Sequence, residues 1–271
     1  MREIVTVVVE SFVDIHCHLL PGIDDGASSL EESLAMAKMA AADGIETMIC
    51  TPHQCGNYAC NRGADIRTAV AELQIALERN GVPISVLAGA DVRIESNLIE
   101  QVARGEVLSL ADRRRHILLE LPHELYIPLE PLLAELKSAG MVGILSHPER
   151  NQGIISQPAL VRPLVEMGGL MQVTAGSLIG TFGEPIRRLS EQLLTEGLVH
   201  FIATDAHGVR SRRPLMRRAF DRAAELVGEQ TALKICAQNP QSVALGDEVR
   251  GGVQPTTERG LRGWFSRRKT A

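Results

Sequence analysis

Aromatic side chains are scarce in this chain of 271 residues: one Trp, two Tyr and five Phe make up 3% of it. Proteins that track nucleic acid stack bases on such rings, so the scarcity argues against that class. The five cysteines, at positions 17, 50, 55, 60 and 236, contain no Cys-x-x-Cys pair. An odd, scattered set does not make a disulfide framework and suits free thiols in a reducing cytoplasm. Cys55 and Cys60 could open a structural zinc site, but no later pair completes it. Long apolar runs are missing too. Residues 4–9 are apolar but too short for a signal sequence or a membrane span, and Glu10 ends them, so no stable membrane insertion is expected.

What the chain does have is an ordinary globular composition, 45% hydrophobic and 23% charged, and length enough to bury a full core. The net charge of -5 is unevenly spread. Arg250, Arg259, Arg262, Arg267, Arg268 and Lys269 against Glu258 give +5 beyond residue 249, which leaves -10 on the rest. An acidic body fits clustered metal-binding carboxylates and is unsuited to a nucleic-acid partner. Residues 247–271 hold glycines, threonines and scattered arginines with little apolar content and are expected to form a flexible basic tail behind a single domain, residues 1–246.

The chemistry is concentrated first in Asp14-Ile15-His16-Cys17-His18. Residues 12–15 look like a short buried strand, so Asp14, His16 and His18 share one face by the two-residue period of a strand. Two neighbouring imidazolium ions would repel, whereas neutral imidazoles facing a divalent cation are stable. A lone His-x-His is equally a feature of core histidines; the rest of the chain decides between the two.

Six further strand patterns follow, at residues 45–50, 84–88, 116–119, 141–145, 170–173 and 199–203. Helical patterns lie between them, at about 28–43, 65–80, 95–104, 129–139, 158–167, 184–196 and 214–227. Strand alternating with helix through short loops predicts an α/β fold with a parallel sheet, either a barrel or an open doubly wound sheet. Each strand ends in a polar residue: His16 and His18, His53, Asp91, Glu120, His147, Thr174, then Asp205 and His207. A barrel brings strand ends together on one face, while an open sheet scatters the outer ones, so a TIM-like barrel is expected.

Five imidazoles (His16, His18, His53, His147, His207) and the carboxylates Asp91, Glu120, Asp205 and Asp25 form a donor set suited to Mn²⁺, Fe²⁺ or Zn²⁺ and too rich in nitrogen for Mg²⁺ or Ca²⁺. Eight or nine ligands exceed what one ion uses, so two or three ions are implied. Such sites favour hydrolysis, most often of phosphate esters. Asp14 is expected to orient an imidazole by a hydrogen bond and Cys17, of opposite parity, to fill the core. Arg150, Arg212 and Arg213 could bind a phosphate dianion. His116, His123 and His200 are assigned to structure.

The motifs DIHCHLLPGIDDG, TPH, GADV, LLELP, SHPER, QVTAGSLIGTFG and ATDAH together resemble the PHP (polymerase and histidinol phosphatase) superfamily. More narrowly, they resemble the bacterial metal-dependent protein-tyrosine phosphatases of capsule and exopolysaccharide operons, over residues 12–245. The resemblance implies a distorted (β/α)7 barrel, a trinuclear centre that is commonly manganese, and removal of phosphate from the phosphotyrosine-bearing tail of a membrane-linked tyrosine kinase. By motif, it also implies that His16, His18, Asp91 and Asp205 hold one metal, that Asp91 bridges to a second held by Glu120 and His147, and that Asp25, His53 and His207 complete a third. Arg150 and the pair Arg212 and Arg213 match phosphate-binding arginines. The family usually has Glu where this chain has Asp91, and its arginine near the Asp-x-His motif is matched by both Arg212 and Arg213.

Independently of the family, thiol-based tyrosine phosphatases need an Arg six positions after their Cys; here those positions hold Ile23, Gly56, Asn61, Ile66 and Ser242. Phosphatase chemistry in this chain is therefore expected to be metal-based. The competing readings are a phosphoesterase for a small ester such as histidinol phosphate and a non-catalytic barrel that binds phosphorylated tails.

Overall fold

A computed structural model of the chain describes residues 11–249. The apolar run at 4–9 and most of the expected tail, residues 250–271, lie outside the described residues. The strands are β1 Phe12–Cys17, β2 Ile45–Cys50, β3 His53–Gln54, β4 Ser85–Ala88, β5 Asp91–Arg93, β6 His116–Glu120, β7 Val142–Ser146, β8 Leu170–Thr174 and β9 Phe201–Ala203. All pairings are parallel, in the orders β1-β2-β4 and β3-β5-β6-β7-β8-β9. Thr51-Pro52 separates β2 from β3, and Gly89-Ala90 separates β4 from β5. Pro52 has no N–H for a ladder, so pairing is interrupted there and resumes at His53. Each pair is one strand path, which makes seven paths. The ring closes between β9 and β1, where Asp205 N donates to His16 O at 2.7 Å and His18 N donates to Ala206 O at 2.8 Å. The architecture is the expected distorted (β/α)7 barrel.

The helices are α1 Leu30–Ala42, α2 Gly63–Arg79, α3 Leu98–Arg104, α4 Glu130–Ser138, α5 Gln152–Ser156, α6 Val161–Glu166, α7 Ala175–Leu178, α8 Glu184–Thr195, α9 Arg217–Val227, α10 Glu229–Leu233 and α11 Asn239–Leu245. Helix α1 starts at a capping box: Ser29 accepts from Glu32 N, and the Glu32 carboxylate accepts from Ser28 N at 3.0 Å. Helix α3 begins three residues later than its pattern predicts, because Asn97 takes a left-handed backbone with φ +68°.

Burial divides the apolar residues into two layers. The outer one fills the space between strands and helices and includes Phe12, Met36, Leu73, Leu119 and Leu193. The inner one, Val13, Ile15, Ile49, Leu118, Ile144, Phe201 and Ala203, fills the barrel and is joined by Val243 and Ala244 of α11. No element was expected after residue 227. Residues 229–245 are nevertheless helical, with a π-helical turn at Lys234–Gln238, and α11 seals the end of the barrel where the strands begin. The elements are short and the join, Gln-Asn-Pro-Gln, is polar, so no helical period stands out there.

The period-two reading of β1 is corrected by an irregularity. The register with β2 shifts between Asp14 and Cys17, so that three residues of β1 span two of its neighbour. Ile15 belongs to the inner layer, yet the next residue, His16, also points inward, and Phe12 and Cys17 both pack in the outer layer. Asp14 therefore does not share the face of His16.

Phe201 is wholly buried at the centre of the inner layer. Truncation by Phe201→Ala should lower the unfolding free energy by about 3 to 5 kcal/mol, measured by denaturant titration; a loss under about 1 kcal/mol would show that the barrel interior repacks freely.

Candidate metal centre

The C-terminal ends of the strands and the loops that leave them converge on one chamber. His16 lies near the end of β1 and His18 just beyond it; β3 opens with His53 and β5 with Asp91; β6 ends in Glu120; His147 follows β7, and Asp205 and His207 follow β9. The loop after β1 folds back on itself, with Gly22 N donating to Ala27 O at 2.8 Å and Ala27 N to His18 O at 3.1 Å, and this returns Asp24 and Asp25 to the chamber. Two of the strand-end residues, His147 and Asp205, hold left-handed backbones with φ +33° and +50°. Such conformations are costly for side-chain-bearing residues and persist where the surroundings enforce them.

Every expected ligand falls in at least one of four groups whose donor atoms lie within 4.8 Å of one another: His18, Asp25, His53 and His207; His16, His18 and Asp91; His16, His147 and Asp205; His53, Asp91 and Glu120. Asp25 Oδ1 is 3.4 Å from both His53 Nε2 and His207 Nε2. Asp91 Oδ2 lies 3.5 Å from His16 Nε2 and 3.5 Å from His53 Nδ1. Short as it is, Asp91 stands between two groups, where a bridging ligand would be placed. The division differs from the one that the resemblance implies. His147 groups with Asp205 and not with Glu120, and Glu120 groups with His53.

Within this chamber several buried atoms have no hydrogen-bond partner: both Asp91 carboxylate oxygens, Asp205 Oδ1 and His207 Nε2. Unpaired buried polar atoms are costly, and here they face one another. His16 Nε2 and His18 Nε2 approach to 3.3 Å, and Asp205 Oδ1 lies 3.3 Å from the first and 3.6 Å from the second. Divalent cations fit such a set, because converging lone pairs and carboxylates are what these ions take as ligands.

Three of the chamber's imidazole rings are fixed from behind. His16 Nδ1 lies 2.8 Å from Gln172 Oε1 and His18 Nδ1 lies 2.6 Å from Asp24 Oδ2, while His207 Nδ1 lies 2.9 Å from the Asp205 carbonyl. A proton on each Nδ1 satisfies these acceptors and leaves each Nε2 lone pair turned to the chamber. Asp24 also accepts from Gly26 N at 3.0 Å and His53 N at 3.1 Å, so it locks the loop as well as the ring.

The charges within the chamber strain against one another. Burial pulls His18 down to about 4, helped by His207, and pulls His147 down to about 3. Burial acts the same way on His16 and His53, but the carboxylates outweigh it: Asp205 and Asp91 at the first, Asp25, Asp91 and Glu120 at the second, raising both to about 9. Burial and the adjacent Asp91 push Glu120 up to about 7. Asp25 is held well below the usual carboxylate range by His207 and His53.

Arg150 and Arg212 share one anchor. Arg150 Nη1 donates to Asp205 Oδ2 at 2.6 Å, and Arg212 Nη2 donates to the same oxygen. Asp205 thus turns one oxygen to the histidines and the other to two guanidinium groups. Arg150 is also stacked on Phe182, 4.6 Å from the ring centroid. Arg213, the other candidate next to the Asp-x-His motif, has no bond to Asp205 and lines a cavity beside the chamber. That geometry separates the two arginines that the sequence left equivalent.

Asp14 was expected to orient an imidazole and does not. Its carboxylate accepts from Thr204 N at 2.9 Å, from Thr204 Oγ1, and from His16 N at 3.3 Å, because the irregularity in β1 turns it away from the rings. The groups that do orient the rings, Asp24 and Gln172, were not singled out. The Asp-Asp-Gly turn was a signal for the first; Gln172 sits mid-strand with no local mark. Tyr58, whose ring stacks on His53 at 5.1 Å, has no local mark in the sequence either. Cys17 is buried, and its thiol donates to Ile49 O at 3.4 Å. Of the histidines assigned to structure, His116 and His200 are buried outside the chamber, and His200 Nδ1 accepts from Met171 N at 3.1 Å; His123 is exposed.

The family model described as capsular polysaccharide synthesis, CpsB/CapC, matches residues 12–244. The tyrosine-protein phosphatase YwqE of Bacillus subtilis is 35% identical over 256 residues, 93% of this chain and 100% of that protein. The putative tyrosine-protein phosphatase CapC of Staphylococcus aureus is 31% identical over 255 residues, 93% of this chain and 98% of that protein. A crystal structure from work on YwqE of B. subtilis and CpsB of Streptococcus pneumoniae, named there as unique metal-dependent tyrosine phosphatases, superposes with a TM-score of 0.85 at 34% identity, covering 90% of this chain and 97% of that one. A 5-methylcytosine deaminase from Klebsiella pneumoniae superposes with a TM-score of 0.52 at 16% identity, over 91% of this chain and 77% of the other, and shares the fold alone.

Two outcomes follow from the geometry. A Cβ on Gly26 would lie 2.2 Å from His18 O and 2.5 Å from His18 Cβ, so Gly26→Ala must displace the turn that carries Asp24 and Asp25. Metal affinity, read by competition with a chromogenic chelator, should weaken by about 10- to 100-fold; unchanged affinity would remove the loop from the centre. Cys17→Ala should leave both bound metal and turnover within about threefold of the parent, since the buried thiol bonds the Ile49 carbonyl and meets Cys50, both away from the chamber. Complete loss of turnover with metal retained would overturn that assignment.

Proposed function

The chain belongs to the CpsB/CapC family of capsular polysaccharide synthesis proteins, and from that premise we propose that it is a metal-dependent protein-tyrosine phosphatase acting on the phosphotyrosine-bearing tail of a tyrosine kinase. The observation that carries the reading is the pairing of two features in one chamber. Orphaned carboxylate and imidazole atoms converge there, and two arginines are anchored on the outer oxygen of Asp205. The first feature is what ions need and the second is what a phosphate dianion needs.

His18, Asp25 and His207 would hold one ion, Asp91 and Glu120 a second, and His16, His147 and Asp205 a third, with His53 available to either of the first two and Asp91 placed between groups; the imidazole-rich set suits Mn²⁺, with Fe²⁺ or Zn²⁺ as substitutes. Bound divalent ions supply Lewis-acid charge to the phosphoryl oxygens and lower the pKa of water so that a nucleophile exists at neutral pH. The chain's own residues do the positioning. Arg150 and Arg212 offer guanidinium forks for the non-bridging oxygens, and their attachment to Asp205 fixes them before substrate arrives. Phe182, against Arg150, and Tyr58, against His53, bring aromatic surface to the chamber, where a substrate phenyl ring would pack. No cysteine takes part: Cys17, buried close to the histidines, has its thiol pushed well up by burial and by Cys50, away from the thiolate form that a nucleophile requires.

The function is tested by stripping the protein of metal, restoring Mn²⁺ or withholding it, and measuring phosphate release from a phosphotyrosine peptide and from histidinol phosphate. Release should depend on Mn²⁺ and favour the peptide, and His207→Ala should reduce it by about 100-fold or more. Preference for histidinol phosphate would move the enzyme to small esters, and metal-independent release would refute the mechanism.

A further inference from the structure

Beside the metal chamber lies a cavity of about 470 Å³ whose walls include Arg210, Arg212, Arg213 and Arg218 and no Asp or Glu. Four guanidinium groups around one hollow run against the charge of the molecule, which carries -10 over residues 1–249. Among the described residues, Arg210, Arg213 and Arg218 have no ion-pair partner within 4.0 Å, whereas Arg187, Arg188 and Arg222 nearby each hold a glutamate. Arg212 alone is committed, to Asp205. The wall also presents Thr174, a side chain 1% exposed whose Oγ1 has no hydrogen-bond partner. An unpartnered hydroxyl beside unpaired guanidinium groups is the donor set of an anion site. The cavity abuts the chamber through Arg212, which lines one and bonds the Asp205 carboxylate of the other.

We propose that this cavity is a specificity subsite for an acidic side chain of the peptide substrate, next in space to the scissile phosphotyrosine. The inference rests on the tyrosine-phosphatase reading and extends it from the chemical group removed to the sequence around it. The scissile phosphate is held on the other side of Arg212 by Arg150 and the ions, so the cavity's three unpaired arginines remain for a second anion. A carboxylate on a flexible Glu or Asp stem fits the space and accepts from a guanidinium in bidentate fashion. Phe182 lines the cavity and carries Arg150 over its ring, so it would separate the two anions, which otherwise repel. Selection is then for phosphotyrosine in acidic surroundings, a preference that an acidic protein body would otherwise oppose.

The test uses the full-length, Mn²⁺-loaded enzyme and two phosphotyrosine peptides of equal length, one with two Glu on each side of the phosphotyrosine and the other with Gln in their place, together with p-nitrophenyl phosphate, which has no flanking chain. The parent should show a KM about tenfold lower for the Glu peptide. The double variant Arg210→Glu, Arg218→Glu should erase or reverse that difference while leaving kcat and KM for p-nitrophenyl phosphate within about twofold. Both residues are exposed and outside the metal chamber, so the variant should fold, which its unfolding midpoint checks. Equal KM for the two peptides in the parent would overturn the subsite while leaving the phosphatase intact. So would a variant that slows p-nitrophenyl phosphate as much as the peptides, since the cavity would then belong to the scissile phosphate. Should none of the three esters be turned over, the phosphatase reading fails, and fluorescence anisotropy of the labelled peptides still decides the cavity: tighter binding of the Glu peptide, lost in the double variant, supports the subsite, and equal binding removes it.

Discussion

The seam between β1 and β9 holds both the fold and the site. Asp205 N bonds His16 O and His18 N bonds Ala206 O across it, so residues whose side chains meet in the chamber are also the residues whose backbones close the barrel. The buried Asp14 carboxylate reinforces the same seam by accepting from the amide and hydroxyl of Thr204. Burial pushes this carboxyl up more than the Thr204 bonds and the His16 amide pull it down, and the balance stands at about 6. Its role is to lock the ring of strands, and the positions of His16, His18, Asp205 and His207 follow from that lock.

A second constraint is electrostatic. Four carboxylates and five imidazoles, most of them buried, face one another with several oxygens and a nitrogen left unpaired. Some imidazoles are driven toward the charged form and others away from it within a few ångströms, which is the behaviour of a cluster short of positive charge at fixed points. Divalent ions answer that shortage better than protons, because one ion neutralises two charges and satisfies several lone pairs together. The ring-orienting contacts of Gln172, Asp24 and the Asp205 carbonyl set the imidazoles for this before any ion arrives.

Asp205 also divides the region by function. Its inner oxygen faces the histidines, its outer oxygen anchors Arg150 and Arg212, and beyond Arg212 every charged residue of the cavity lining is an arginine. A steep change from carboxylate-lined to arginine-lined surface over one side chain is what would give the proposed phosphorylated peptide a defined orientation.

Much of this was legible in the sequence. Alternation of apolar strands with amphipathic helices fixed the fold class, since a parallel sheet needs crossover helices and its strands are buried on both faces. The residues that converge in the chamber and their place at strand ends were readable too, because that position depends only on local chain direction. What depended on contacts between distant segments was not. The irregularity in β1 set Asp14 apart from His16 and against Thr204, 190 positions away. The grouping of His147 with Asp205 and the support of His16 by Gln172 across 156 positions arise where separate strands meet, and the choice of Arg212 over Arg213 arises in the folding of the loop after β9, which returns Arg212 to Asp205 seven positions earlier. Helix α11 has no signal in the sequence because its packing against the barrel interior, and not its own periodicity, makes it a helix. Local periodicity determined which residues could act; the closure of the ring decided which of them act together, because register and side-chain direction across a barrel are set by pairing between strands and not by any one of them.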